Sequence, residues 1–423
     1  MKTPERINYE EQEHLHGIIP KKSYEYVTNV NESTIRILGK TWTDNLERNK
    51  RYWRKNRKLL DTLGIGKNKC VIGIGSGMSF NKNKDTLKQI LNEDGVKDWP
   101  DRRYITIAAN HQFKPLMDMG IIPDFVLLVD ASDVVMDQLT KGIPQMAKHV
   151  SLICGIHCSP KVIAKWTRQG RPVLFYTTPI AEFDDMFKKI YNRDPTKHKM
   201  DLGGNVLNGA WMVGITRFRS NVFFGVGNDL SFELKETIED QRKTYYSDGD
   251  YSTNAKETGT GRDEAASEKK WAGFSLTRRS VWLPGESQKG LNRYNISLDT
   301  VGTNHTLWVY KTWLEATILG QLSTNGHFHY FNCSEGGILG VMAKEDDDES
   351  LKRDSNWFML DQVAVNKNSG AAMYHTAMLE DAHKVYLKAK EMQRWPNAAI
   401  RTDVQDAGVL VGTGRNTIAQ NVI

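Results

Sequence analysis

The stretch Lys69–Ser79, KCVIGIGSGMS, decides how the rest of the chain is read. Its first half is a short apolar run, and its second half is a turn carrying Gly73, Gly75 and Gly77. A strand that is apolar at successive positions is buried on both faces, the condition of a parallel sheet covered by helices. Glycines just beyond such a strand let backbone N–H groups approach an anion, and a helix N-terminus adds a favourable dipole. Ser76 and Ser79 add hydroxyl donors. The turn is not a Walker A loop, because no Gly-Lys-Ser/Thr follows, and Met78 stands where the dinucleotide fingerprint has its third glycine. A tight turn with no ligand is the plain alternative.

Outward from this stretch, strand and helix alternate. The pattern predicts strands at Tyr104–Ala109, Asp124–Asp130, Val150–Gly155, Pro172–Tyr176 and Asn221–Val226. Between them it predicts helices at Asp85–Asn92, His111–Met119, Val134–Leu139, Pro160–Gln169 and Asn205–Ile215. Short strands spaced by helices require crossover connections. The predicted fold is therefore α/β, a doubly wound, mainly parallel (Rossmann-like) sheet with helical N- and C-terminal additions. The divisions are an N-terminal arm at 1–43, a domain at 44–344 with a polar mobile loop at about 245–270, and a helical C-terminal extension at 345–423. Further helices are expected at Asp44–Leu63, Trp308–Leu319 and Ala371–Arg394, and a strand at His327–Cys333. The tail from Ala398 to Ile423 has turn composition and reads as an extension or a homo-oligomer contact.

Composition narrows the class. The formal charge is +6, from 57 basic against 51 acidic residues, too small an excess in 423 residues to imply nucleic acid. The basic cluster Arg48–Lys58 interleaves Tyr52 and Trp53 with charge; it suits a phosphate backbone or the polar face of a helix that turns Tyr52, Trp53, Leu59 and Leu60 inward. No apolar run reaches the roughly 18–20 residues of a membrane span, and the N-terminus lacks an apolar signal core, so a cytoplasmic protein is expected. Cys70, Cys154, Cys158 and Cys333 read as core thiols, although His157 between two of them faintly suggests a metal.

Ligands of open α/β sheets bind at the carboxyl ends of the strands. Asn110 and His111 fall at one such end, Asp130 at the next, and Asp229 in the turn Gly225–Leu230. Asp130 suits a ribose hydroxyl or a hydrated divalent cation; a helix cap at Ser132 or Asp133 is the competing explanation.

These motifs in order, GSGMS with Asn83, AANHQFKPLMDMGIIPDFVLLVD, GGNVLNGA, FFGVGNDLSF, YYSDGDY and FNCSEGGILG, resemble one family. It comprises the motility accessory factors of flagellin glycosylation and the archaeal 6-hydroxymethylpterin diphosphokinases, and the resemblance spans roughly Asp44 to Gly340. The pattern is also similar to bacterial CMP-sialic acid-dependent sialyltransferases. The resemblance implies that Gly73, Gly75, Ser76, Ser79 and Asn110 line a nucleotide site, that Asp130, Asn205 and Asp229 face the same cleft, and that Ser334, Glu335, Gly336 and Gly337 close it. It departs at Ser76-Gly77, where the family usually has Pro-Ser. The accessory factors' long flanking regions are largely missing, so no flagellin partner is implied.

Three functions follow. A glycosyltransferase would move a CMP-linked nonulosonic acid-type sugar to a hydroxyl acceptor, with His305 as general base, Asp229 in the catalytic group, and Tyr245, Tyr246 and Tyr251 helping the leaving phosphate. A diphosphokinase would use ATP and a 6-hydroxymethylpterin-like alcohol, with magnesium held through Asp130 and Asp229. A non-catalytic protein would keep only the fold. No cofactor is firmly implied beyond magnesium in the second case.

Overall fold

In the computed structural model of the chain, the described residues are 39–95, 101–143, 145–179, 181–233, 246–247, 279–281, 301–303, most of 307–318, 328–334 with 336–339, and 375–391 apart from 377. The strands are β1 (Arg57–Lys58), β2 (Cys70–Ile74), β3 (Tyr104–Ala109), β4 (Phe125–Leu128), β5 (Ser151–Gly155), β6 (Val173–Tyr176), β7 (Val222–Val226), β8 (Arg279–Val281), β9 (Val301–Thr303), β10 (His329–Asn332) and β11 (His375–Thr376). Nine of them form one sheet in the order β1-β6-β5-β4-β3-β2-β7-β10-β11, parallel at every pairing, while β8 and β9 make a separate antiparallel pair. Every residue of β2, β3, β4, β6 and β7 is buried, which is why these strands are apolar at nearly every position.

The helices are α1 (39–48), α2 (Lys50–Lys55), α3 (Phe80–Gly95), α4 (Asn110–Asp118), α5 (Met136–Thr140), α6 (Pro160–Arg168), α7 (Ala181–Tyr191), α8 (Val206–Met212) and α9 (Leu379–Glu391). One apolar layer joins α1 to α4, α6, α7 and α9 to a face of the sheet through Trp42, Trp53, Leu87, Phe113, Trp166, Phe187 and Tyr386. The opposite layer sets α8 and the helical residues of 307–318 on the other face through Leu207, Trp211, Val309, Trp313 and Leu314. The doubly wound arrangement expected from the sequence is therefore present.

Strand order locates the ligand end. From β2 the chain steps outward through β3, β4, β5 and β6, then returns to place β7 on the other side of β2. The direction of winding thus reverses between β2 and β7, and the crevice above such a reversal is where open α/β sheets bind ligands.

Several elements differ from the sequence expectation. The single basic helix at Asp44–Leu63 is two short helices that stop at Lys55; Asn56 is extended and donates its side chain to the Tyr52 carbonyl at 2.9 Å, and Arg57–Lys58 go on to pair with β6. Within it Trp53 is buried while Arg51, Arg54 and Lys55 are exposed, the polar-face arrangement. The helix expected at Val134–Leu139 begins as a 3-10 turn at Asp133–Val135. That at Asn205–Ile215 widens into a π turn at Val213–Arg217. The long helix at Ala371–Arg394 is described only from Leu379 to Glu391, and His375–Thr376 inside its expected span instead pair with β10. A strand edge left open by β10 offers unpaired backbone groups, and pairing outweighs helix propensity there. Helix α7 has no counterpart in the expectation.

Two buried asparagines lock α1 and the start of α2 onto the loops after β4 and β5. Asn45 donates to the carbonyls of Ala131 and His157 at 2.9 and 3.0 Å, and Asn49 to those of Ile156 and Cys158 at 2.8 Å each. Asn49→Ala would strand both acceptors away from water, so a loss of about 2 kcal/mol is expected in urea unfolding. An unchanged midpoint would show that the bonds are replaced by water.

Candidate functional site

The turn after β2 and the turn after β7 are zipped together across the reversal point. Gly75 N donates to Val226 O at 2.8 Å and Gly77 N to Gly227 O at 3.0 Å, so the pairing of β2 with β7 runs past the strands. Gly227 has φ +66°, a left-handed conformation that suits glycine. A Cβ on Gly75 would lie 2.3 Å from Gly227 O, which fixes why glycine is needed at closest approach. The sequence expectation gave these glycines to an anion. In the structure the amides of Gly75 and Gly77 are spent on β7, and the amides of Ser76 and Met78 are those without a hydrogen bond among the described residues.

Asp229 sits beneath this turn, 5% exposed. One oxygen accepts Ser79 N–H at 2.8 Å and the other accepts the Ser79 hydroxyl. Burial pushes its carboxyl up to about 6, although the Ser79 hydrogen bonds pull the other way. Both oxygens are thereby engaged in joining the β7 turn to the start of α3. Around it, Ser334 Oγ accepts Asn228 N–H at 2.9 Å, Ile338 N donates to Asp229 O at 2.9 Å, and Gly336 approaches Ser79. The segment expected to close the cleft thus wraps the β7 turn, while Glu335 lies outside the described residues.

At the end of β3, Asn110 donates to Gln138 Oε1 at 2.9 Å, and Gln138 Nε2 meets His111 Nδ1 at 3.1 Å. If Gln138 is the donor there, the proton of a neutral His111 sits on Nε2. His111 also stacks with Tyr246, ring centroids 4.0 Å apart at 23°. Next to it Ser247 bridges three elements: its N–H donates to Ser76 O at 2.7 Å, its carbonyl accepts Asn81 Nδ2 at 3.0 Å, and its hydroxyl donates to Gln112 Oε1 at 3.0 Å. Residues 246–247 therefore dock where the glycine turn meets α4.

The remaining expected residues sit at the same end of the sheet in other roles. Asp130 is exposed and accepts Ser132 N–H at 2.7 Å, while Asp133 takes Ser159 and Lys161. Asn205 caps α8 by accepting Leu207 N–H at 2.8 Å, and Leu207 packs beside Gly73 and Gly75. For magnesium the fit is poor at Asp229, whose oxygens are taken; of the two expected carboxylates Asp130 is the accessible one. No cluster of three or more metal-ligating side chains occurs among the described residues. The cysteines are buried and free, and burial holds His157 neutral with its pKa down at about 4. His305, Tyr245 and Tyr251 lie outside the described residues.

Sequence reasoning passed over Gln112, Gln138 and Asn81. The first belongs to the same Asn-His-Gln run as Asn110, which was the available signal; the other two are brought in only by the packing of α5 and α3. A cavity of about 360 Å³ at the opposite, amino end of the strands is lined by Arg102 and Asp124, which pair with each other at 2.7 Å, and it lies apart from these groups.

Residues 40–234 match the profile of the family described as 6-hydroxymethylpterin diphosphokinase MptE-like. In structure the chain is similar to a MAf glycosyltransferase from Magnetospirillum magneticum AMB-1, with 15% identity, a TM-score of 0.41, and coverage of 70% of this chain and 37% of that one. The chain thus spans well under half of that protein. No curated protein sequence matches it. Among the described residues no helix is long and apolar enough to cross a membrane.

Proposed function

Because residues 40–234 match the MptE-like family profile, we propose that the protein is a transferase that takes its group from a nucleotide-linked donor and passes it to a hydroxyl acceptor. The observation that carries this reading is the reversal point between β2 and β7, where the glycine turn, the start of α3 and the His111–Gln112 end of α4 meet through Ser247. The amides of Ser76 and Met78, ahead of α3, supply donors for a phosphate oxygen. Asp229 is then a positioning residue that holds the turn.

Two donors suit this frame. A CMP-linked nonulosonic acid-type sugar suits a chain that extends well beyond the domain, which leaves room for a large acceptor. ATP with a 6-hydroxymethylpterin-like alcohol is favoured by the description of the matched family. His305 stays the general-base candidate of the first reading.

Thermal unfolding separates them. A ligand that binds only the folded chain stabilises it by roughly 2.7 kcal/mol at a hundredfold excess over its Kd. CMP without metal is expected to raise Tm by several degrees under the first reading; ATP does so under the second, and a chelator then abolishes the rise. No response to either nucleotide would end both.

A further inference from the structure

Gln112 lies on α4 beside His111, and its hydrogen bonding among the described residues is incomplete, as is that of Asn83 Oδ1 on α3 and Asn228 Nδ2 in the turn after β7. The Gln112 side chain is 0% exposed. Oε1 accepts the Ser247 hydroxyl at 3.0 Å, and Nε2 is buried with no hydrogen-bond partner among the described residues. Turning the amide over would move the deficit to oxygen without removing it. Buried polar groups in folded proteins are nearly always paired, so a sealed donor beside a candidate ligand site marks a group that something else completes.

The immediate neighbours indicate what that is. Residue 246 lays a ring on His111, and residue 247 sets a hydroxyl on Gln112. Together they present to α4 a planar ring beside a polar edge. A carboxamide is two-sided, donor next to acceptor, and it matches a planar edge that carries an acceptor next to a donor. A phosphate is the poorer complement: it would welcome Nε2–H but be repelled by Oε1.

We propose that Gln112 reads the edge of a planar heterocycle that stacks on His111, through a ring nitrogen beside an amino group, the N=C–NH2 unit shared by cytosine, adenine and pterin. The ligand takes the place of the Tyr246 ring on His111 and of the Ser247 hydroxyl on Oε1, and adds the bond that Nε2 lacks. Gln112 is thus a specificity residue for the ring, while the glycine turn serves the phosphate. The inference rests on the reading of this end of the sheet as the ligand site, and it holds for either donor.

The test is isothermal titration of the full chain and of Gln112→Met and Gln112→Glu with cytidine, adenosine, 6-hydroxymethylpterin, CMP, ATP and pyrophosphate. Both variants are expected to lose about tenfold or more in affinity for whichever ring-bearing ligand the wild type binds. Pyrophosphate affinity is expected to stay unchanged, which also shows that the variants are folded. Equal affinities for the ring in wild type and variants would overturn the assignment. So would a loss confined to pyrophosphate, which would make Gln112 a phosphate group. If the wild type binds the pterin but no nucleotide and the variants lose it, the nucleotide-donor reading falls while this one stands. A wild type that binds none of the five ring-bearing ligands overturns both, whether or not it binds pyrophosphate.

Discussion

Gly75→Ala is expected to destabilise the protein by about 3 kcal/mol and to remove ligand binding at the reversal point. The added Cβ would meet Gly227 O at 2.3 Å and Leu207 Cδ2 at 2.7 Å. The first of these is backbone, so rotation of a side chain brings no relief. The two turns must separate, which breaks the bonds from Gly75 N to Val226 O and from Gly77 N to Gly227 O. Urea unfolding measures the first effect and nucleotide titration the second. Wild-type stability in the variant would mean that the turns part freely and that their zipper has no structural weight. Gly95, where a Cβ would meet nothing within 4 Å, is the matched control: Gly95→Ala at that helix end is expected to be near neutral.

The second large effect is electrostatic and has a definite sign. Asp229 ionises at about 6 in the folded chain, against the ordinary 3.8, because burial disfavours its charge. Between those values the folded state keeps a proton that the unfolded state has released. Its contribution to stability is therefore fully present below about pH 4 and is lost as pH rises through 6. Two units correspond to about 3 kcal/mol. Asp229→Asn keeps an acceptor for Ser79 N–H and cannot ionise, and the Ser79 hydroxyl can turn to accept from its amide. The stability of wild type minus that of Asp229→Asn is expected to fall by about 3 kcal/mol between pH 4 and 7 in urea unfolding. Taking the difference cancels the opposite trend of His157, whose depressed pKa destabilises the fold as pH drops from 6.5 toward 4. A flat difference would mean that Asp229 ionises normally and that water reaches it.

The pattern of apolar runs made β2 to β7 legible because a strand covered on both faces has to be apolar nearly throughout. Tyr104–Ala109 coincides with its expected bounds for that reason. Short edge pieces carried no such mark. Arg57–Lys58 and His375–Thr376 are polar, and they are strands only because β6 and β10 present open edges to them. At the site, Asn110, Asp130 and Asp229 were visible as polar residues at strand ends, but their partners were not. Nothing local says that Asp229 would face Ser79, 150 residues away, or that Ser247 would reach Gln112 from 135 residues away.

What the sequence by itself determined is the class of fold and the end of it that carries polar groups, since both follow from local periodicity and from glycines just past buried strands. Which of those groups can meet a ligand was decided only by the tertiary structure. Strand order put β7 beside β2, and that neighbour consumed the amides of Gly75 and Gly77. Packing buried Asp229 against Ser79 and left Gln112 Nε2 without a partner among the described residues. Hydrogen bonds between distant segments decide which donors remain, and a glycine turn read alone cannot show how its amides are already used.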